Sequence, residues 1–298
     1  MPNLSVLLPV RNGERHLRKA IRSTLAALPA DSELVVLDDA STDSTPSILE
    51  SVSDHRLVVH RTQASLGVAN GLNYLASQTD SRYVARMDAD DISLPWRFRH
   101  QSKALGDCDV LFGAVIFVNE NGVVSRPDLP GFIGPESIPL HLMLASFLCH
   151  PTMFALRASL PEGPYRSVPA EDYDLWLTLV GTGKRLKRDP APVILYRQHQ
   201  TQTSKSDAWM RWLADEAAVA QTRTAFEEAS RFIGLEPPAG ILEFILSGRI
   251  DPRSGRASAI EDFMEEIALH ATRVPLLQRL PIQARLASAR RRLQHAST

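Results

Sequence analysis

The chain is poor in cysteine, with Cys108 and Cys149 alone among 298 residues. They form no C-x-x-C pair and cannot make a disulfide framework, which excludes a small stapled scaffold and favours a reducing compartment. No apolar run approaches the roughly 18 residues that would mark a bilayer span. The first ten residues carry no charged segment followed by a long apolar stretch, so no signal peptide is expected. Net charge is nearly absent as well. Lysine and arginine total 33 against 34 aspartates and glutamates, so no global field points to nucleic acid. A cytoplasmic location follows as the expectation, and any membrane contact would be peripheral, at the inner face.

What is present is an ordinary globular composition, 44% hydrophobic and 22% charged. The length fits one large domain, or one of about 200 residues with an appendage. The first hundred residues alternate in type. Leu4–Leu8 reads as a buried strand ending at Pro9, and Leu17, Ile21, Leu25 and Leu28 recur with helical spacing from Glu14 onward. Glu33–Leu37 is a second strand, Thr45-Pro46 an N-cap with proline at the first helical position, and Leu57–His60 a third strand. Val68–Gln78 reads as a helix and Tyr83–Met87 as a fourth strand. This alternation predicts an α/β fold, a mainly parallel sheet with helices on both faces. After residue 105 the pattern changes. Val110–Val118 and Val123-Val124 flank Asn121-Gly122, a hairpin signal, and short elements continue to about residue 205. Residues 206–298 read as a mostly helical extension broken near Pro237-Pro238 and Pro252.

In such sheets ligands sit beyond the carboxyl ends of the strands. The polar clusters fall there: Pro9–Glu14, Asp38–Asp43 and Asp88–Asp91. Asp88-Ala-Asp90-Asp91 puts three carboxylates on one turn, a donor set suited to Mn²⁺ or Mg²⁺ held jointly with substrate phosphates. The competing reading is a solvated acidic turn, or acids capping a helix that begins near Pro95. Of Asp38-Asp39, one carboxylate could accept the imide N–H of a uracil or thymine ring. Asx-turns and capping of the helix from Thr45 compete for the same groups, Asp43 included. Glu171-Asp172 precedes an apolar helical stripe, Leu175, Trp176, Leu179 and Val180, so both acids are placed at a helix N-terminus, where the dipole favours negative charge. Capping and a functional role both remain open there. His199 is open between metal ligand, phosphate contact and surface histidine, while Arg197 beside it favours phosphate. Cys149 reads as a small buried residue, and His150 as a candidate for the border of an acceptor site.

Five segments occur in order: Pro9-Val-Arg11-Asn12-Gly-Glu14, Asp38-Asp39-Ala-Ser41-Thr-Asp43, Leu66-Gly67-Val-Ala-Asn70-Gly71, Ala85-Arg86-Met-Asp88-Ala-Asp90-Asp91 and Glu171-Asp172-Tyr-Asp-Leu-Trp176. Together they resemble the family 2 glycosyltransferases, inverting nucleotide-sugar enzymes of the GT-A fold, over roughly residues 2–205. The resemblance implies a nucleoside pocket lined by Pro9, Arg11 and Glu14, with Asp39 on the base and Arg86 and Asp88 near the nucleoside or phosphate. It implies Asp90 on the metal that bridges the diphosphate and Asp172 as the general base; His199 stays a further candidate ligand on its own reading, and Glu171 is expected to shape the site. Tyr196-Arg197-Gln-His199, with Ser204 following, is similar to the segment that closes over the diphosphate. Position 11 is often aromatic in the family; here it is Arg11, which can stack or reach a phosphate, so the donor base stays open. On this resemblance residues 1–205 are the GT-A domain, 1–105 the nucleotide-binding half and 106–205 the acceptor half, with 206–298 as the helical extension. The partners implied are a nucleoside-diphosphate sugar and a glycan or lipid-linked acceptor in surface polysaccharide synthesis.

The alternatives are a sugar-phosphate nucleotidyltransferase, which would carry a glycine-rich basic loop after the first strand, and a nucleotide-sugar-binding protein without turnover. Residues 273–298 hold six arginines and no acid, with leucines interspersed. That segment reads equally as a peripheral membrane contact through its arginines and as a helix packed on the core. Pro275 and Pro281 are expected to break any single long helix there, and the run from Arg290 to fray.

Overall fold

The structure, a computed structural model, describes residues 2–128, 131–168, 170–198, 216–247 and 256–296. Two compact units emerge: Met1–Pro130 with Cys149–Ser167 and Arg188–Gln200, and Gly131–Leu148 with Val168–Lys187 and Thr201–Thr298.

The first unit is built on a sheet with nine strands among the described residues. Strands β1 (Leu4–Val10), β2 (Ser32–Asp39), β3 (Leu57–Thr62) and β4 (Tyr83–Arg86) run parallel in the order β3-β2-β1-β4. β1 is central and almost wholly buried, which is why it reads as a continuous apolar run rather than an alternation. The order continues through β8 (Phe154–Leu156), β6 (Val110–Val118), β9 (Leu186–Arg197) and β5 (Ile92–Ser93), with antiparallel pairing at β4–β8, β6–β8 and β5–β9. The expected hairpin forms between β6 and β7 (Val124–Asp128), turning at Gly122 with φ 82°. β6 and β9 approach so closely that a Cβ on Gly113 would sit 2.4 Å from Val193 Cγ2.

The predicted helices appear as α1 (Leu17–Ala27), α2 (Thr45–Glu50), α3 (Val68–Ser77) and α4 (Arg97–Ala104). Leu17, Ile21, Leu25 and Leu28 are all buried, as their spacing predicts. α1 starts at Leu17 rather than Glu14 because the backbone and carboxylate of Glu14 are committed elsewhere: its N–H donates to Asp43 Oδ2 and its Oε2 accepts from Ser44 N–H, each at 3.0 Å. The N-cap of α2 is likewise Ser44, not Thr45.

The second unit is helical: α5 (Ile138–Leu142), α6 (Glu171–Gly181), α7 (Glu216–Phe232), α8 (Ile241–Ser247), α9 (Arg256–Ala271) and α10 (Leu276–Ala296). α6 packs on α7, and a Cβ on Gly181 would lie 3.3 Å from Glu228 Cβ. α9 and α10 bury Ile260, Phe263, Met264 and Ile267 together with Ile282, Leu286, Ala289 and Leu293. The break near Pro237-Pro238 is real, whereas the expected break at Pro281 is not. That proline lies inside α10, and the carbonyl its missing N–H would have served belongs to Leu277, in the first turn of the helix, so one intrahelical bond near the helix start is forgone. The run from Arg290 does not fray either. Arg290 Nε pairs with Glu261 at 2.6 Å, Arg292 lies over the Phe244 ring, and Leu293 is buried. Among the described residues no helix is long and apolar enough to cross a membrane.

Candidate active site

Two loops at the carboxyl edge of the parallel strands are zipped together. Asn12 N–H donates to Ser41 Oγ at 2.9 Å, Gly13 N–H to Thr45 Oγ1 at 2.8 Å, and Thr42 N–H to Asn12 Oδ1 at 2.8 Å. Asp38 closes an Asx-turn by accepting Ser41 N–H, and Asp43 accepts Thr45 N–H. Asn12 (φ 54°) and Ala40 (φ 56°) both adopt left-handed backbone in these loops. Asparagine tolerates that region; alanine is strained there. The loops are therefore held in a fixed shape with Arg11 and Glu14 exposed and Pro9 half-buried beside them.

Asp39 is buried and already saturated. Its Oδ1 accepts Leu66 N–H at 2.7 Å and Thr62 Oγ1 at 3.3 Å, and its Oδ2 accepts Ser65 Oγ at 2.8 Å and Gly67 N–H at 3.1 Å. Burial alone would raise its pKa, but these donors outweigh it and hold the carboxyl below the usual range. Asp39 thus anchors the loop leading into α3. A base N–H would have to displace one of the side-chain hydroxyls.

The acidic turn after β4 carries the densest charge. Ligand oxygens of Asp88, Asp90 and Asp91 all lie within 4.8 Å of one another. Arg86, buried on β4, pairs with Asp88. Asp91 is buried; its Oδ1 accepts Arg197 N–H at 2.8 Å, while its Oδ2 is buried without a hydrogen-bond partner. Burial, then the charges of Asp88 and Asp90, push the Asp91 carboxyl well above its ordinary pKa. Burial also raises Asp88, against the pull of Arg86. A buried carboxylate oxygen without a donor, beside two further carboxylates, is the chemistry a hard divalent cation satisfies, so these residues fit Mn²⁺ or Mg²⁺.

Behind the turn sits Arg97, a residue that sequence reasoning missed. Fully buried, it donates to the carbonyls of Arg86 (2.6 Å) and Pro151 (2.7 Å) and to Ser93 Oγ (3.2 Å). Burial lowers its pKa to about 9, still far enough above neutrality to keep the charge. The available signal was electrostatic: three acids on one turn call for more cation than Arg86 supplies. Arg197 is also buried. Its Nε donates to Asp90 O at 2.9 Å and its Nη1 to the carbonyls of Asn119 (3.1 Å) and Glu120 (2.8 Å), fastening the β6–β7 turn to the acidic turn. His199 and Ser204 lie outside the described residues.

Cys149 is half-buried and unbridged. Burial and the charges of Asp91 and Asp88 raise its thiol pKa well above the ordinary value, which makes it inert. His150 is buried, bonded to Tyr165 Oη at 2.9 Å, and kept neutral by burial and by Arg86. Glu171 and Asp172 belong to the second unit, in the first turn of α6 as expected. Both are half-exposed, and Asp172 Oδ1 accepts Tyr173 N–H at 2.7 Å.

Residues 5–161 match the family model described as glycosyl transferase family 2, more than half of the chain. The chain belongs to glycosyltransferase family 2. A putative glycosyltransferase of Bacillus subtilis, EpsE, is 33% identical over 196 residues, covering 62% of this chain and 69% of the relative. WfgD of Escherichia coli, named a UDP-Glc:α-D-GlcNAc-diphosphoundecaprenol β-1,3-glucosyltransferase, is 26% identical over 180 residues, covering 59% and 69%. Among solved structures, residues 1–349 of TarS from S. aureus in complex with UDP-GlcNAc align with a TM-score of 0.60 at 18% identity, covering 100% of this chain and 90% of that one. At that identity the likeness concerns the fold: the α/β architecture of this glycosyltransferase resembles TarS, helical C-terminal part included.

Proposed function

We propose that this glycosyltransferase moves a sugar from a nucleoside-diphosphate sugar to a hydroxyl of a glycan or lipid-linked acceptor, with inversion at the anomeric carbon, in surface polysaccharide synthesis. The observation that carries the reading is the acidic turn Asp88–Asp91, with its partnerless buried oxygen, at the carboxyl edge of the parallel strands of a family 2 chain. The UDP-GlcNAc bound to TarS and the lipid diphosphate named for WfgD support the donor and acceptor classes. Asp90, with Asp88 and Asp91 beside it, would hold Mn²⁺ or Mg²⁺, and His199 stays a further candidate ligand. Bound there, the ion supplies charge stabilisation to a departing diphosphate.

The chain's own groups do the rest. Pro9, Arg11 and Glu14 bound the nucleoside on the zipped loops, with Asp39 set to exchange a hydroxyl partner for a base N–H. Arg86 offsets the carboxylates and Arg197 fixes the turn that carries them. Asp172 takes the acceptor proton as the hydroxyl attacks the anomeric carbon, and Glu171 shapes its surroundings. A single displacement of this kind needs no enzyme nucleophile and inverts the configuration. Residues 1–205 as the catalytic domain, divided at residue 105, and 206–298 as an extension belong to the same proposal, as does action at the cytoplasmic face of a membrane.

A thermal-shift screen of nucleoside diphosphates with and without Mn²⁺ tests it. A ligand that binds only the folded state raises stability by mass action, so one base should stand out, and only with metal. No shift with any nucleoside diphosphate would refute the donor class.

A further inference from the structure

We infer that the α9–α10 corner of the helical unit is a membrane-docking knob: Leu276, Leu277 and Leu280 enter the interface of an anionic bilayer. The inference rests on the lipid-linked acceptor reading above and moves the contact from the C-terminal arginines to the leucines beside them.

These leucines are 70%, 83% and 60% exposed, and Leu269, near the end of α9, is 62% exposed. Spacings of three and four residues make Leu280 a neighbour of both Leu277 and Leu276 on the first turns of α10. A contiguous exposed apolar patch marks an interaction surface, whereas scattered single leucines would not.

The knob is held out by built contacts. Gln278, between the leucines in sequence, faces inward: its Oε1 accepts Gly134 N–H at 2.8 Å and Ser137 Oγ at 2.7 Å. Arg279 Nε donates to Val274 O at 2.6 Å, and its Nη2 to Thr272 O, locking the connection between the helices. With residues 278 and 279 turned to the protein, residues 276, 277 and 280 are left facing solvent.

Charge selects the occupant. From Arg273 to the C-terminus there are six arginines and no acid. Arg285 lies over the Phe147 ring, and Arg290 and Arg292 are engaged by Glu261 and Phe244, so those three serve the fold. Arg273, at the corner itself, and Arg291 are exposed. The last acid before the corner is Glu266, one helical turn ahead of His270. Apolar side chains beside the exposed Arg273, with no acid on α10 and Arg291 exposed further along the same helix, match an interfacial segment for anionic lipid.

Co-sedimentation of the full chain with phosphatidylglycerol/phosphatidylethanolamine vesicles, against phosphatidylcholine alone, tests this. The wild type is expected to bind the anionic vesicles, more weakly as salt rises. Combining Leu276→Ser, Leu277→Ser and Leu280→Ser should reduce binding on the order of tenfold or more, three side chains being withdrawn from the acyl boundary. Phe232→Ser, at a residue 57% exposed elsewhere on the unit, should change little. Equal binding by the triple variant, or equal loss in Phe232→Ser, overturns the proposal. So does a wild type that self-associates through these leucines without binding vesicles. Nucleoside diphosphate binding is measured on the same samples. A wild type that binds nucleotide but not vesicles defeats the knob and leaves the transferase reading intact.

Discussion

Two acidic groups in this protein have nearly the same composition and opposite surroundings. Asp88, Asp90 and Asp91 lie on a turn of the sheet unit, backed by the buried guanidiniums of Arg86, Arg97 and Arg197, with one carboxylate oxygen buried and unserved. Glu171, Asp172 and Asp174 occupy the first turn of α6 in the helical unit, where the first two are half-exposed and the helix terminus itself supplies N–H groups. The first arrangement concentrates negative charge at a cost that a bound cation or a proton relieves. The second disperses it along a helix terminus and leaves Glu171 and Asp172 half-exposed. On the proposed function, similar acids are divided by environment: the turn would hold an ion and Asp172 would accept a proton.

The sharpest way to break this division is Asp172→Asn, which keeps size and capping ability but cannot accept a proton. Turnover should fall by about 10²- to 10⁴-fold while nucleotide affinity stays near wild type. Glu171→Gln should cost less. A rate close to wild type in Asp172→Asn, measured alongside its melting temperature, would reduce the α6 acids to caps.

Next in size is Arg97→Met, which removes one of the three buried guanidiniums behind the acidic turn and strips donors from two carbonyls. Destabilisation of about 3–5 kcal/mol is expected in denaturant melts. Burial already raises the folded pKa of Asp88, and Arg97 pulls it down, so the variant raises it further. A raised carboxylate pKa favours the folded state at low pH and is lost as pH rises through it. The deficit should therefore shrink on acidification toward the ordinary Asp value of 3.8 and be full at neutrality. A deficit independent of pH would mean that Arg97 acts through packing alone.

The smallest effect tests the loops. Ala40 holds φ 56°, and glycine adopts that region without the Cβ penalty. Ala40→Gly should stabilise by about 1 kcal/mol or less, since the relief is partly offset by greater freedom in the unfolded chain. A loss of stability would show that the Ala40 side chain packs usefully.

Much of this was legible in the sequence. The apolar run of β1, the helical spacing of Leu17 to Leu28, the Asn121-Gly122 turn and the three polar loops follow from periodicity and turn chemistry acting locally. Details that depend on distant partners did not. Glu14 reads as the start of a helix until Asp43 and Ser44 claim it, and nothing local marks Arg97 as buried before the carbonyls of Arg86 and Pro151 enclose it. That Asp39 already holds Leu66 and Gly67 N–H and two hydroxyls, one of which a base N–H would have to displace, is likewise set by residues distant in sequence. Pro281 reads as a helix breaker, yet α10 runs through it with the deprived carbonyl in its first turn.

On the proposed function the acidic turn holds an ion that in turn holds a diphosphate. Calorimetry of the nucleoside diphosphate picked out by the thermal screen, with and without Mn²⁺, measures this on wild type and on Asp90→Asn. Wild type should bind far more tightly with metal, and Asp90→Asn should lose most of that gain while its metal-free affinity is unchanged. Equal metal enhancement in the two proteins, or none in wild type, would contradict the assignment.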